Sequence, residues 1–524
     1  MRTQVLIIGG GVTGTGLARD LTLRGISCIL AEQRDINAGA SGGNHGLLHS
    51  GARYVASDPV SARECQEEGQ ILRRIAPHCI EDTGGLFVAV SGDDEGYVAD
   101  FAQACARAGV PCDPLDPSEA RELEPGLARE VIAAFAVNDA SIDPFQISLD
   151  NVSQAIHGGA AYLSHHRMIG LRRDGRENAS TVLLQHILTG AEVEVFPEIV
   201  VNASGAWAGE TLGKAGLSLE MLYAKGTLAV TSTRLSRRVI NRLRPPGDGD
   251  ILVPGGTVSI LGTTSVRIDD LTTIRPTIEE VDTIVEQGAV MFPSLETTRY
   301  VRSYAGVRPL LKSRDESSDR SVSRGYALID HAGEGWPNLI TLTGGKLTTF
   351  RLMAEKAADM VAGKLGVSSA CQTASLQLPS SQAGKWSEAG RSSRTWARQA
   401  RPGDLVLCEC EMIPQSHFDD IQESLDEHDV HSGLNAFRLR SRLGKGACQG
   451  TFCSVRLTNS MVDRDRYTGP QGLDEIKKFV SSRWTGQRPV LWDGQLCQAE
   501  LSEALHCGLF GLELNRTDDD HEQC

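Results

Sequence analysis

No apolar stretch in this 524-residue chain is long enough to cross a bilayer. The first apolar run is broken by glycine at Gly9 and so reads as neither a signal peptide nor a span, and the chain is expected to start folding in the cytoplasm. Positive charge is in deficit: 52 Lys and Arg against 67 Asp and Glu leave a formal net charge of −15. That argues against nucleic acid as a main partner, but it is compatible with a local basic pocket for an anionic metabolite. Cysteine is too sparse for a disulfide scaffold, with 13 in the whole chain, and Cys28, Cys65, Cys79, Cys105, Cys112, Cys371, Cys497, Cys507 and Cys524 are scattered as inert thiols. No internal repeat is present. What remains, 40% hydrophobic and 23% charged residues, is ordinary for a globular chain, and at about 150 residues per domain the length suggests roughly three units.

The strongest local signal is at the start, where residues 4–14 read QVLIIGGGVTG. A short β-branched run (5–8) leads into Gly9-x-Gly11-x-x-Gly14, and residues 12–24 then carry Leu17, Leu21 and Leu23 at helical spacing. Gly9 permits a tight turn, Gly11 lets backbone approach a pyrophosphate, and Gly14 lets helix pack on strand, so free N–H groups at the helix start face an anion. A second strand (27–30) ends near Glu32, placed to accept from a ribose hydroxyl. The alternative is a purely structural glycine turn. The strand before, the helix after and the acid together favour a dinucleotide site, with its identity open at this point.

Residues 37–51, NAGASGGNHGLLHSG, are so glycine-rich that backbone there must lie close to something. Helices are expected at 59–80, 96–108 and 148–159, and strands at 86–90 and 131–137. A hairpin at 181–187 and 191–196 runs into an apolar strand (198–201) that ends in the small-residue turn at Gly205. Short β-runs predominate from 222 to 307, with one amphipathic helix at 278–291. The opening geometry then recurs: a strand at 339–342, a glycine pair, and a helix to about 365.

Four segments resemble, in order, the motifs of the FAD-dependent glycerol-3-phosphate dehydrogenases: GNHGLLHSGARY (43–54), SYAGVRPL (303–310), VSRGYALIDH (322–331) and TGGKLTTFR (343–351). The match covers residues 1 to about 370. The wording HGLLHSGARY and the C-terminal cysteines are closer to the catalytic subunit of the bacterial anaerobic enzymes than to the single-chain aerobic form. The resemblance implies an α/β fold: a Rossmann-like FAD domain of the glucose/amino-acid oxidase type (about 1–80, 148–210, 322–370), an antiparallel β-sheet substrate domain (about 81–147, 211–321), a linker (371–404), a small helical [2Fe–2S] domain (405–460) and a C-terminal extension (461–524). It places Gly9, Gly11, Gly14, Glu32, Ser41, Asn44, Gly205, Gly344, Gly345, Leu347 and Thr348 on FAD.

Glycerol 3-phosphate is a small dianion with an unactivated secondary alcohol, so its site needs cations for phosphate, a proton acceptor for the C2 hydroxyl and a hydride acceptor facing C2. Arg308 and Arg324 are the expected phosphate ligands, because guanidinium forks match phosphate oxygens. Arg53 and Tyr54 line the same pocket. Arg302, Arg314 and Arg320 lie outside this motif context, where a solvated surface charge is the default. His49 is the base by virtue of its neutral-range titration, with His45 as rival and a structural, backbone-bonded histidine as the alternative for both. Lys346 is expected to stabilise the alkoxide electrostatically, the alternative being a proton acceptor whose pKa burial depresses; the helix start at 344–349 is expected to face the charge that develops around flavin N1 and the C2 carbonyl on reduction, the alternative being a plain helix start packed on a strand. Where aerobic relatives carry a histidine near Lys225-Gly226-Thr227, this chain has none, and no role is carried over.

Cys408-x-Cys410 and Cys448-x4-Cys453 supply four thiolates, suited to a [2Fe–2S] cluster or to structural zinc. The spacing resembles the ferredoxin-like domain first known from a bacterioferritin partner, with a wider second pair. A one-electron carrier beside a two-electron flavin favours iron–sulfur. The expected function is oxidation of sn-glycerol 3-phosphate to dihydroxyacetone phosphate, with electrons leaving through partner subunits (an iron–sulfur membrane-anchoring subunit, with a second flavoprotein-like subunit) to a quinone in anaerobic respiration. This places the protein peripherally on the cytoplasmic face of the inner membrane. The rivals are an FAD-dependent glycine/sarcosine-type amino-acid oxidase, a flavin-bearing RNA-modifying protein, which the net charge disfavours, and a non-catalytic flavin/iron–sulfur electron-transfer subunit.

Overall fold

A computed structural model describes residues 1–173, 180–311, 325–378 and 401–512. Its first sheet grows from Arg2–Ile8, whose Val5, Leu6 and Ile7 are fully buried, as a β-branched run with no polar face requires. Around it the strands lie parallel in the order Ala161–Leu163, Cys28–Ala31, Arg2–Ile8, Glu192–Asn202 and Leu339–Gly344, with Tyr326–Asp330 antiparallel at the edge. Helices Val12–Leu23, Pro144–His157 and Phe350–Leu365 pack on it, so Val5, Ile7, Leu17, Leu21, Ile340 and Val361 share one core. Each such side chain contributes about 1.5–3 kcal/mol on burial. All parallel strands end on the side where the glycine turns lie, so residues distant in sequence meet there.

The second sheet has nine strands, built from 85–137 and 221–311. Its backbone is the long antiparallel pairing of Met221–Thr231 with Tyr300–Leu311, from Met221 opposite Leu311 to Thr231 opposite Tyr300. The expectation of a wholly antiparallel sheet needs correction: Val239–Arg242 runs parallel to Gly85–Val90. The sheet is mixed because these two strands come from separate stretches of chain and need no hairpin between them. Helix Ile278–Ala289, started by a Thr277/Glu280 capping box, buries Val281 and Ile284 against it.

The C-terminal region is a short hairpin (Val406–Cys408, Ile413–Pro414) and helices Gln415–Glu427, Leu434–Arg440, Cys453–Asp463, Gly469–Gln487 and Gly494–Glu503 around a core of its own, including Phe418, Phe437, Leu457 and Phe479. It is docked on the rest: Arg440 pairs with Asp35 at 2.7 Å, Arg299 donates to Gln495 Oε1 at 2.9 Å, and Ser303 Oγ donates to the Gly486 carbonyl at 3.2 Å. The expected linker begins in packed structure, since Arg351 donates to Thr373 Oγ1 at 3.2 Å and the Leu378 N–H to Ile75 O at 2.9 Å. Its residues 379–400 lie outside the described residues. Among the described residues no helix is long and apolar enough to cross a membrane.

Candidate active site

The turn after Arg2–Ile8 is made by glycine for steric reasons that can be stated atom by atom. Gly9 has φ +115°, and a Cβ there would lie 2.5 Å from Ala203 O; a Cβ on Gly14 would lie 1.9 Å from Gly9 O. The turn therefore passes hard against the start of its own helix and against the end of Glu192–Asn202. Glu32, 8% exposed, follows Cys28–Ala31 and is locked by two N–H donors, Gly10 to Oε2 at 2.7 Å and Arg34 to Oε1 at 2.9 Å. Burial pushes its carboxyl above the ordinary range, only partly offset by those bonds. Ser41 Oγ accepts from the Val12 N–H at 3.0 Å, and Asn44 Nδ2 donates to Ser41 O at 2.7 Å, so the glycine-rich loop is stitched to the first helix.

One cavity is lined by Gly9, Gly11, Glu32, Ser41, Asn44, Gly205, Gly344, Gly345 and Leu347, and the same cavity takes His45, His49, Arg53, Tyr54, Arg308 and Lys346. The glycine cradle, the acid beside it and the helix start fit a dinucleotide such as FAD. Two expected cofactor residues stand behind this wall. Gly14 packs helix on turn, and Thr348 is fully buried, its Oγ1 accepting from the His49 N–H at 3.1 Å. Arg324 lies outside the described residues.

The cationic side chains are held by partners that spacing did not reveal. Arg308, on Tyr300–Leu311, donates through Nη2 to Thr263 Oγ1 and through Nη1 to Thr264 O at 3.2 Å. A Cβ on Gly226 would lie 2.7 Å from Arg308 Nη2, so the position in the Lys225-Gly226-Thr227 segment that lacks a side chain is the one that admits the guanidinium. Arg53 pairs with Asp250 at 2.9 Å; Asp250 also binds Arg244 at 2.8 Å and the Gly247 N–H. Burial would raise the Asp250 carboxyl, but Arg53 and Arg244 more than offset it and hold it below the ordinary carboxylate range. Lys346 Nζ donates to Ser61 Oγ at 2.8 Å and lies 4.7 Å from the Tyr54 ring centre.

His49 stands 3.4 Å from the Tyr54 hydroxyl through Nε2, with ring centres 5.2 Å apart, and 6.0 Å from the His45 ring. The loop bearing it is pinned by Thr348 and by Asp139, which accepts from the Ser50 N–H at 2.7 Å and from Asn241 Nδ2 at 3.0 Å. Asp139 and Asp250 were invisible in the sequence because each serves as a counter-group from a remote strand or turn and belongs to no motif.

The four clustered cysteines form two couples. Cys410 and Cys448 are within hydrogen-bonding reach of each other, as are Cys408 and Cys453. The Cys410 thiol and the N–H groups of Gly450 and Phe452 hold Cys448 down against burial. A Cβ on Gly446 would lie 2.2 Å from Cys410 Cβ, so that glycine makes room for the couple.

Fold and site together define the class: the chain belongs to the FAD dependent oxidoreductase family, whose model matches residues 4–360. It is 41% identical over 537 residues, covering 98% of both chains, to a subunit of the anaerobic glycerol-3-phosphate dehydrogenase of Escherichia coli (strain K12). The corresponding subunit of Haemophilus influenzae is 40% identical, covering 98% of this chain and 94% of that one. Within the class the chain is a member of that subunit's family, among the anaerobic glycerol-3-phosphate dehydrogenases. Among solved structures it is similar to the glycerol-3-phosphate dehydrogenase from Bacillus halodurans complexed with FAD (TM-score 0.65, 22% identity, 94% of this chain and 96% of that one). It is also similar to glycine oxidase from Geobacillus kaustophilus (TM-score 0.56, 21% identity, 72% and 98%). The fold therefore does not discriminate between alcohol and amine substrates; the side chains must.

Proposed function

We propose that this protein oxidises sn-glycerol 3-phosphate to dihydroxyacetone phosphate. The observation that carries the reading is that His49 and Arg53 from one loop, Arg308 from the strand Tyr300–Leu311 and Lys346 from the turn after Leu339–Gly344 open into the cavity that holds the dinucleotide cradle. Arg308, steadied by Thr263 and Thr264, binds phosphate through its guanidinium fork. Arg53 is fixed by Asp250 at the same pocket, and by its motif Arg324 joins them. His49, oriented by Tyr54, takes the proton of the C2 hydroxyl, and Lys346 lowers the energy of the alkoxide as that proton leaves. Bound FAD supplies the acceptor for the C2 hydride, so that carbon and oxygen become the ketone while two electrons leave the substrate. The glycine pair Gly344–Gly345 and the turn Leu347–Thr349 that leads into helix Phe350–Leu365 would hold the flavin ring, and the helix start would favour negative charge there.

The two cysteine couples would supply the four thiolates of a [2Fe–2S] cluster, which would give those electrons an outlet. A single tetrahedral zinc needs its sulfurs about 3.8 Å apart. Among the described residues, though, the three metal-type ligand atoms that gather within 4.8 Å are those of His78, Cys79 and Asp150, not of this quartet. The relative is named as one subunit of its enzyme, which supports partner subunits here. Beyond the cluster we place an iron–sulfur membrane anchor with a second flavoprotein-like subunit, a quinone as final acceptor, and the assembly on the cytoplasmic face of the inner membrane. Anaerobic addition of glycerol 3-phosphate to the FAD-loaded protein is expected to bleach the flavin spectrum. Bleaching by glycine or proline instead would overturn the assignment.

A further inference from the structure

A second and larger cavity, about 960 Å³, lies where the FAD domain, the nine-stranded sheet and the C-terminal helices meet. Among the cations that line it, Arg483, Arg302, Arg438 and Lys445 form no salt bridge among the described residues. Arg483 is 3% exposed, and both its Nε and Nη2 lack a hydrogen-bond partner among the described residues; its guanidinium lies 5.4 Å from the Phe479 ring centre. Arg302, read from sequence as a surface charge, is half-buried over Tyr304 at 5.6 Å with its Nε similarly unmatched. Among the described residues Arg438 donates to Asn435 Oδ1, at 3.2 Å, and Lys445 Nζ sits 4.7 Å from the Phe145 ring centre.

The nearby carboxylates are otherwise engaged. Asp35 is paired with Arg440, Glu411 with Arg442, Glu475 with Lys478, and Asp143 caps the helix Pro144–His157. Burial, with the neighbouring cations, pulls Arg438 down to about 10 and Lys445 to about 8, and Asp35, Asp143 and Glu411 offset it only in part. Such a grouping is expensive to fold unless an anion completes it.

We propose that this cavity is a second anion site, separate from the glycerol 3-phosphate pocket, that takes an organic phosphate. Phosphate is the anion that guanidinium forks fit. The volume is that of a site for a drug-sized ligand, and Val230, Val258, Ile260 and Phe145 provide apolar walls for the ligand's body. The position also has meaning. Asn44 and His45 line both cavities, and Lys445 lies three residues before Cys448 in sequence, so the ligand would sit between the flavin cradle and the cysteine quartet.

The test is calorimetric titration of the FAD-loaded, full-length protein with inorganic pyrophosphate and with ADP, each repeated in the Arg308→Ala, Lys445→Gln and Arg483→Gln variants. Saturable binding is expected in wild type. It should survive Arg308→Ala and weaken at least tenfold in Lys445→Gln and Arg483→Gln, with ADP tighter than pyrophosphate. Loss in Arg308→Ala with retention in Lys445→Gln would assign the binding to the substrate pocket and overturn the proposal. So would the absence of saturable binding in wild type, while ADP no tighter than pyrophosphate would reject an organic ligand. Should Arg483→Gln lose its FAD, Lys445→Gln and Arg302→Gln decide. Flavin bleaching by glycerol 3-phosphate, followed separately, reports on the catalytic reading alone.

Discussion

Gly43 and Gly306 touch backbone to backbone: a Cβ on Gly306 would lie 2.1 Å from Gly43 O, and one on Gly43 would lie 2.9 Å from Gly306 Cα. This is what the glycine-rich stretch at 37–51 lies close to. Arg302 and Arg308, on either side of Gly306 and of the same strand parity, reach the two cavities separately. Gly306→Ala must push the 43–49 loop away and take His45 and His49 with it. The expected result is at least tenfold lower kcat/KM for glycerol 3-phosphate with a lowered FAD content after purification, checked by flavin absorbance per protein. Wild-type values in both would mean that the loop yields freely.

Arg308→Ala removes a charged hydrogen-bond donor, at about 1.5–3 kcal/mol. That corresponds to roughly 10–150-fold weaker use of glycerol 3-phosphate, read as a higher KM, because the proposed role of Arg308 is to hold phosphate away from the reacting carbon. FAD should stay bound. If FAD is lost and KM for the remaining holoenzyme is unchanged, Arg308 supports the cradle instead.

Asp250→Asn leaves Arg53 and Arg244 facing a neutral amide. Breaking such a buried pair costs about 3–5 kcal/mol, so a lower Tm is expected at neutral pH. Because the folded carboxyl of Asp250 lies below its ordinary value, its stabilisation is complete above about pH 4, the unfolded-state range, and is lost as pH falls through the folded value. The Tm gap between wild type and variant should therefore narrow in acid. A gap that widened as pH fell would contradict the pairing.

His49→Asn keeps the loop's backbone bonds to Thr348 and Asp139, which involve main-chain N–H groups of His49 and Ser50. Losing a general base costs about 10²–10⁴-fold in rate, so kcat should fall by that order with KM within a few-fold, and the residual rate should climb with hydroxide instead of levelling near neutrality. An unchanged pH profile would pass the role to another group, with His45 next in line.

The sequence made legible those features that depend on local pattern. The strand–Gly9–helix start, Glu32 at the end of the next strand and the second glycine pair at 344–345 are all written in contiguous residues, and they fall on one cavity. The parallel pairing of Val239–Arg242 with Gly85–Val90 was not legible, because strand partnership across 150 residues leaves no periodic trace. Asp250 and Asp139 were missed because each acts on the site from a remote stretch of chain and belongs to no motif. Arg302 was misjudged because a lone arginine on a half-buried strand looks solvated until the helix Gly469–Gln487 is laid over it, with Gly486 O accepting from the neighbouring Ser303.

The cysteine quartet separates the two halves of the proposed reaction. Cys410 is exposed and within hydrogen-bonding reach of Cys448, whereas Cys408 and Cys453 are buried. Cys410→Ser therefore removes the ligand with the least structural burden, since serine leaves the Gly446 contact at Cβ intact. If the couples hold [2Fe–2S], the variant should lose the dithionite-reduced electron paramagnetic resonance signal and most of its iron, and turnover with a quinone acceptor in the full assembly should fall at least tenfold. Single-turnover bleaching of FAD by glycerol 3-phosphate should continue at the wild-type rate, because hydride acceptance needs only the cavity between Gly9 and Arg308. A metal analysis finding zinc alone in the wild-type protein would remove the cluster from the electron path, and loss of bleaching in the variant would mean that the cysteine domain supports the active site itself.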